Sequence, residues 1–146
     1  MVNKRRLLFS PDDWQLMLTR SEQGAPEEVC GLAVGIKDRI TKVIPITNSL
    51  HSPVRFEMDP EEQLKSFLWM EDQGLELLAI YHSHPHGPSV PSETDLAEFA
   101  YPGTIYIICA PGEEGWYPYG FEIQEGFTQP VSLEVEQLRD HLRLRV

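Results

Sequence analysis

Hydrophobic residues along this chain come in short runs, and the residues bordering each run decide what it forms. The run 5–9 (RRLLF) reads as a short strand. Ser10 follows as a candidate N-cap, with Pro11 at the first helical position and Asp12 and Asp13 suited to the positive end of a helix dipole. The spacing predicts a helix over 11–23, with Trp14, Leu16, Met17 and Leu18 on its apolar side. Residues 28–36 (EVCGLAVGI) and 39–47 (RITKVIPIT) are rich in β-formers and joined by a short polar turn, the pattern of an antiparallel hairpin. Residues 48–58 lack periodicity and predict an irregular loop ending in a brief strand. Asp59 as N-cap, Pro60 at the first position and Glu62 at the capping-box position open a second helix, which Gly74 closes. The continuous apolar run 75–81 (LELLAIY) has the length of a central strand buried on both faces. A short helix over 92–100, a buried strand over 103–110 and terminal strands over 115–124 and 129–136 complete the chain. The order β-α-β-β-α-β-α-β-β-β predicts a mixed α/β layer protein.

Composition narrows the picture. A chain of 146 residues without repeats or linker-like stretches is expected to form one domain, 1–146, large enough for its own core. No apolar run approaches the roughly 20 residues that span a bilayer. The apolar stretch after the basic N-terminus is too short for a signal sequence. Cys30 and Cys109 sit among apolar residues, as reduced core thiols do, so a cytoplasmic protein is expected. The net charge of −11 argues against a nucleic-acid backbone as the main partner. Solubility or a basic protein partner would each account for it.

Candidate chemistry is concentrated at 80–95 (IYHSHPHGPSVPSETD). Alternate residues of an extended chain point to one side, so His82 and His84 can converge on a single atom. The ordinary alternative is two half-exposed histidines at a strand end. His86 lies between Pro85 and Gly87, where the chain turns, and reads as a rim residue. Asp95 falls in the first turn of the predicted helix 92–100, where it either serves the helix dipole or faces back toward the histidines. Two imidazoles and a carboxylate on Zn²⁺ leave a fourth position for water, the arrangement of a hydrolytic site. Ser92 reads as the helix N-cap, or as a hydrogen-bond donor to an oxyanion. Amide hydrolysis also requires a general acid/base, for which Glu27 and Glu28, just before a buried strand, are candidates.

Taken together, Glu28, His82-Ser83-His84-Pro85 and, six residues on, Ser92-Glu93-Thr94-Asp95 resemble the JAMM signature of the MPN+ metalloproteases. The stretches PEEVCGL, NSLHSPVRFEMDPEEQL and YPGTIYIICA are similar to compact prokaryotic members, so the resemblance covers nearly the whole chain. It implies an MPN domain: a curved mixed β-sheet flanked by helices and related to the cytidine-deaminase fold. It implies zinc bound by His82, His84 and Asp95, Glu28 rather than Glu27 as acid/base, and Ser92 in support of the oxyanion. Deaminase chemistry is disfavoured, since the chain has neither P-C-x-x-C nor H-x-E. The implied activity is hydrolysis of a peptide or isopeptide bond after the Gly-Gly C-terminus of a ubiquitin-like or sulfur-carrier protein, as in Mec-type hydrolases. The alternatives are a non-catalytic MPN scaffold and a zinc amidohydrolase of small molecules. His51 and His86 could each line a substrate groove or stand as exposed loop histidines, the second being the reading adopted.

Overall fold

A computed structural model describes residues 5–125 and 127–136. Its elements follow the predicted order: β1 (Arg6–Phe9), α1 (Pro11–Gly24), β2 (Cys30–Ile36), β3 (Arg39–Ile46), α2 (Pro60–Gln73), β4 (Glu76–Ser83), α3 (Glu93–Glu98), β5 (Ile105–Gly112), β6 (Gly115–Gln124) and β7 (Phe127–Val135). The loop 48–58 contributes only an isolated bridge, Asn48 to Met58.

The helices begin where their capping residues dictate. The Asp13 N–H donates to Ser10 Oγ at 3.1 Å, and the Glu62 N–H donates to Asp59 Oδ2 at 3.0 Å. Gly74 takes a left-handed φ of 70° and closes α2. The expected reciprocal bond from Glu62 to the Asp59 N–H does not form. That N–H donates instead to the Thr47 carbonyl at 2.9 Å. The Glu62 carboxylate is released to accept the Thr47 N–H at 3.0 Å, so it ties α2 to the end of β3.

The sheet is mixed, as expected, and curves until it closes. Its order is β1-β3-β2-β4-β5-β6-β7, with β1 parallel to both β3 and β7 and β4 parallel to β5. Closure could not be read from the sequence, because β1 meets β3 through the single pair Leu8–Arg39. Alternation along the strands sorts the core into two layers. Cys30, Leu32, Ile80 and Ile108 pack with Met70 of α2, and Ala33, Tyr81, Ile107 and Cys109 pack with Met17 and Leu18 of α1. Each large side chain fully buried in these layers contributes roughly 1.5–3 kcal/mol.

Strand β4 is buried from Leu78 onward, as its apolar run predicts, and continues two residues past Tyr81. His82 and Ser83 pair with Ile108 and Cys109 of β5, so the first histidine lies inside the sheet rather than at a loose end. Gly31 lies opposite Tyr81, and a Cβ there would stand 2.3 Å from the ring. Glycine is what lets the phenol lie across β2. Among the described residues no helix is long and apolar enough to cross a membrane.

Candidate metal centre

Strands β2 and β4 are antiparallel, with Cys30 opposite His82. Stepping two residues back along one chain and two forward along the other sets Glu28 opposite His84. Two hydrogen bonds hold the intermediate pair in that register. The Ser83 N–H donates to the Val29 carbonyl at 2.9 Å, and the Val29 N–H donates to Ser83 Oγ at 2.8 Å. Glu28, His82 and His84 are all buried, and one ligand atom from each lies within 4.8 Å of the others.

Helix α3 brings Asp95 to the same place. Ser92 is its N-cap and Asp95 its N3 residue, and the two bond reciprocally. The Asp95 N–H donates to Ser92 Oγ at 3.0 Å, and the Ser92 N–H donates to Asp95 Oδ2 at 2.8 Å. This capping box aims the carboxylate at both rings. Asp95 Oδ1 is 3.2 Å from His82 Nε2, Oδ2 is 3.1 Å from His84 Nε2, and the two Nε2 atoms are 3.0 Å apart.

Whether these residues suit a cation can be decided from their protons. His84 Nδ1 stands 2.7 Å from the Pro88 carbonyl, which only accepts, so that nitrogen carries the hydrogen. When His84 is neutral, it turns a bare Nε2 lone pair toward a second imidazole nitrogen and a carboxylate. Three acceptors that close repel one another unless a cation lies among them. Ligands at 2.0–2.1 Å around tetrahedral zinc would stand about 3.3 Å apart, a spacing close to the 3.0–3.2 Å between these atoms. The residues fit a small divalent cation. Among the described residues, buried His82 Nδ1 has no hydrogen-bond partner. Its ring is held by packing instead, stacked on Phe56 with centroids 4.5 Å apart and against Tyr106 at 5.1 Å.

The electrostatics follow from this crowding. Without an ion, burial draws the Asp95 carboxyl upward, but hydrogen bonds from His82 and His84 when they carry the proton outweigh it and hold the group well below the usual carboxylate range. Burial lowers His82 and keeps it neutral. Burial also pulls on His84, but its bonds to Asp95 and to the Pro88 carbonyl prevail and raise it. Glu28 is pushed up to about 7 by burial, with His84 opposing and the Asp95 charge adding to the rise. The Cys30 and Cys109 thiols are both pushed up to about 12 by burial, so neither is a nucleophile.

The structure thus gathers Glu28, His82, His84, Ser92 and Asp95. It separates Glu27, which turns outward and lies 3.3 Å from His51 Nδ1. His51 and His86 are both exposed. Four positions around the centre went unread in the sequence. Asn48 donates to the Glu28 and Arg55 carbonyls at 3.0 Å and accepts the Leu50 and Glu57 N–H groups at 3.1 Å, which fastens the loop 48–58 to Glu28. The others are Ser83, Phe56 and Tyr106. The asparagine opening the irregular loop was the one local hint, since that residue bonds readily to nearby backbone.

Residues 11–119 match the family of prokaryotic homologues of the JAB domain. The chain belongs to this family. It is 35% identical over 129 residues to a desampylase of Pyrococcus furiosus, spanning 88% of this chain and 91% of that one. It is 34% identical over 104 residues to a CysO-cysteine peptidase of Mycobacterium tuberculosis, spanning 70% and 71%. A JAB1/MPN domain protein of Archaeoglobus fulgidus superposes with a TM-score of 0.57 at 25% identity, covering 90% of this chain and 100% of that one. The MPN domain expected from the sequence is therefore the observed fold, and the JAB family supplies the frame in which the buried cluster is to be understood.

Proposed function

We propose that this chain is a zinc-dependent peptidase that hydrolyses the peptide or isopeptide bond following the Gly-Gly C-terminus of a ubiquitin-like or sulfur-carrier protein. The reading rests on one observation: two imidazoles and a carboxylate converge within 3.0–3.2 Å of one another, with buried Glu28 beside them. The relatives named desampylase and CysO-cysteine peptidase supply the substrate class. A site this enclosed also suits a thin substrate. His82, His84 and Asp95 are 0%, 6% and 7% exposed, and an extended tail of two glycines is the least bulky peptide that could reach them.

In this reading His82, His84 and Asp95 hold the zinc, whose Lewis acidity makes water nucleophilic near neutral pH and polarises a carbonyl. The chain's own groups handle the protons. Glu28 Oε1, buried and without a hydrogen-bond partner among the described residues, takes a proton from the attacking water and passes it to the leaving nitrogen. Ser92 Oγ already accepts the Asp95 N–H, which leaves the hydroxyl hydrogen to be donated to the carbonyl oxygen as it gains charge. The reading takes residues 1–146 as one domain. It also places the protein in the cytoplasm, where two buried, unpaired thiols are at home.

The test is mass spectrometry of a carrier protein extended beyond Gly-Gly, incubated with zinc-loaded enzyme. The extension should be released, chelator should stop the release, and added zinc should restore it. Full activity in His84→Ala would overturn the assignment.

A further inference from the structure

Two of the three proposed ligands have a hydrogen bond behind them. His84 Nδ1 stands 2.7 Å from the Pro88 carbonyl, and Asp95 Oδ2 accepts the Ser92 N–H at 2.8 Å. A ligating imidazole is ordinarily fixed in this way, through the nitrogen that faces away from the ion. His82 is different, since its buried Nδ1 has no partner among the described residues. The torsion about its Cβ–Cγ bond is intrinsically broad, and a turn there would carry Nε2 away from the point it shares with His84 and Asp95. Two flat rings oppose that turn. Phe56 is stacked on the imidazole, with centroids 4.5 Å apart and planes 26° from parallel, and Tyr106 lies at 5.1 Å and 52°. Tyr106 is buried in β5, but Phe56 is only half-buried and comes from the irregular loop 48–58. The chain is pinned on both sides of it. Asn48 Nδ2 donates to the Arg55 carbonyl at 3.0 Å, and the Glu57 N–H donates to Asn48 Oδ1 at 3.1 Å. Arg55 Nε donates to Glu98 Oε1 at 3.0 Å, which ties the same segment to α3, the helix that carries Asp95.

We infer that Phe56 is a positioning residue for the metal, acting through His82, and that the loop 48–58 thereby sets how tightly the ion is held. The inference rests on the zinc reading above and deepens it. Shape does for His82 what a hydrogen-bond acceptor does for His84. A ring nearly parallel to the imidazole resists its rotation along a whole face, whereas an aliphatic side chain of similar size fills the space but presents no plane. An acceptor behind an imidazole also raises its basicity, and Phe56 supplies no such help. His82 is therefore the weaker donor of the two histidines, and its alignment matters more. Asn48 serves both halves of the centre. It holds the Glu28 carbonyl at 3.0 Å and flanks Phe56 on both sides, so the acid/base and the weaker ligand share one anchor.

The experiment measures zinc dissociation constants by competition with a chromophoric chelator, and uses the visible spectrum of the cobalt-substituted protein to report ligand geometry. Wild type is compared with Phe56→Leu and Phe56→Tyr, with circular dichroism of the metal-free proteins as the check on folding. Phe56→Leu should bind zinc at least about tenfold more weakly, the lower end of what losing a partner of a metal-bound histidine costs, and its cobalt spectrum should shift. Phe56→Tyr keeps the plane and should return both readings to those of the wild type. Asn48→Ala should weaken zinc binding in the same direction with the Phe56 ring still present. Equal zinc affinity in Phe56→Leu and wild type, or Phe56→Tyr as weak as Phe56→Leu, overturns the positioning role while leaving the zinc site in place. Wild-type zinc affinity in Asn48→Ala overturns the part given to the loop, whether or not Phe56→Leu folds. If the wild type itself takes up no zinc, the metal reading fails and the positioning role with it.

Discussion

Glu28 binds its proton more tightly in the fold than in the unfolded chain, at about 7 against 4.5, because burial penalises the charged carboxylate. The stability this supplies is complete below about 4.5 and is lost as pH rises through about 7. His84, also raised, works in the same direction, and His82, lowered by burial, works against both. The Glu28 part is isolated by difference: in calorimetric scans of metal-free protein from about pH 5 to about pH 8, Glu28→Gln should lose less stability with rising pH than the wild type does. The same variant keeps all three proposed ligands, so zinc analysis should find its metal content unchanged while kcat drops by about 10²–10⁴. A variant that cleaves normally would move the acid/base role elsewhere. At this scale the sequence was informative where spacing is local. A histidine pair two apart in a strand, and a serine three before an aspartate at a helix start, have consequences fixed by backbone geometry alone. Between Glu27 and Glu28 the residues themselves left the choice open, and only the likeness to a family favoured the second. The deciding fact is which of the two extends the Cys30–His82 register onto His84.

The elements hold these side chains through contacts that no local pattern reveals. Asn48 makes four hydrogen bonds, three to the backbone of its own loop 48–58 and one to the Glu28 carbonyl, and Asn48→Ala would strand buried peptide groups. A loss of about 1–3 kcal/mol in urea unfolding is expected, with kcat falling further than the stability loss explains, because Glu28 is no longer positioned. Gly31→Ala would drive a methyl into the Tyr81 ring, 2.3 Å away. Overpacking of that kind costs about 1–3 kcal/mol, and a thermal melt equal to wild type would show that the phenol swings clear. Gly31 was silent in the sequence, since it matters through a strand partner far along the chain, and Asn48 offered only its residue type, since its bond to Glu28 joins distant segments. Glu62 shows the opposite failure. Its spacing from Asp59 suited a capping box, but the nearby Thr47 backbone captured both partners.

For the whole molecule, the proposed ion is a stability term as well as a reagent. Chelation should lower the melting temperature and re-addition restore it, by about 4 kcal/mol at a free zinc concentration a thousandfold above Kd. The effect should shrink in acid, where protons compete for raised His84. A melting curve indifferent to chelator at neutral pH would count against the site. Fold class and element order were legible because runs and caps repeat along the chain. Closure of the sheet was not, since it depends on four residues of β1 reaching both β3 and β7. One further consequence lies in the stretch from His84 to Asp95. It is fastened near both ends by its own bonds, His84 to the Pro88 carbonyl and Ser92 to Asp95. Bringing residues eleven apart together costs roughly 2 kcal/mol of chain freedom. Here bonds within the stretch itself offset part of that cost, which leaves less of it for the metal to supply.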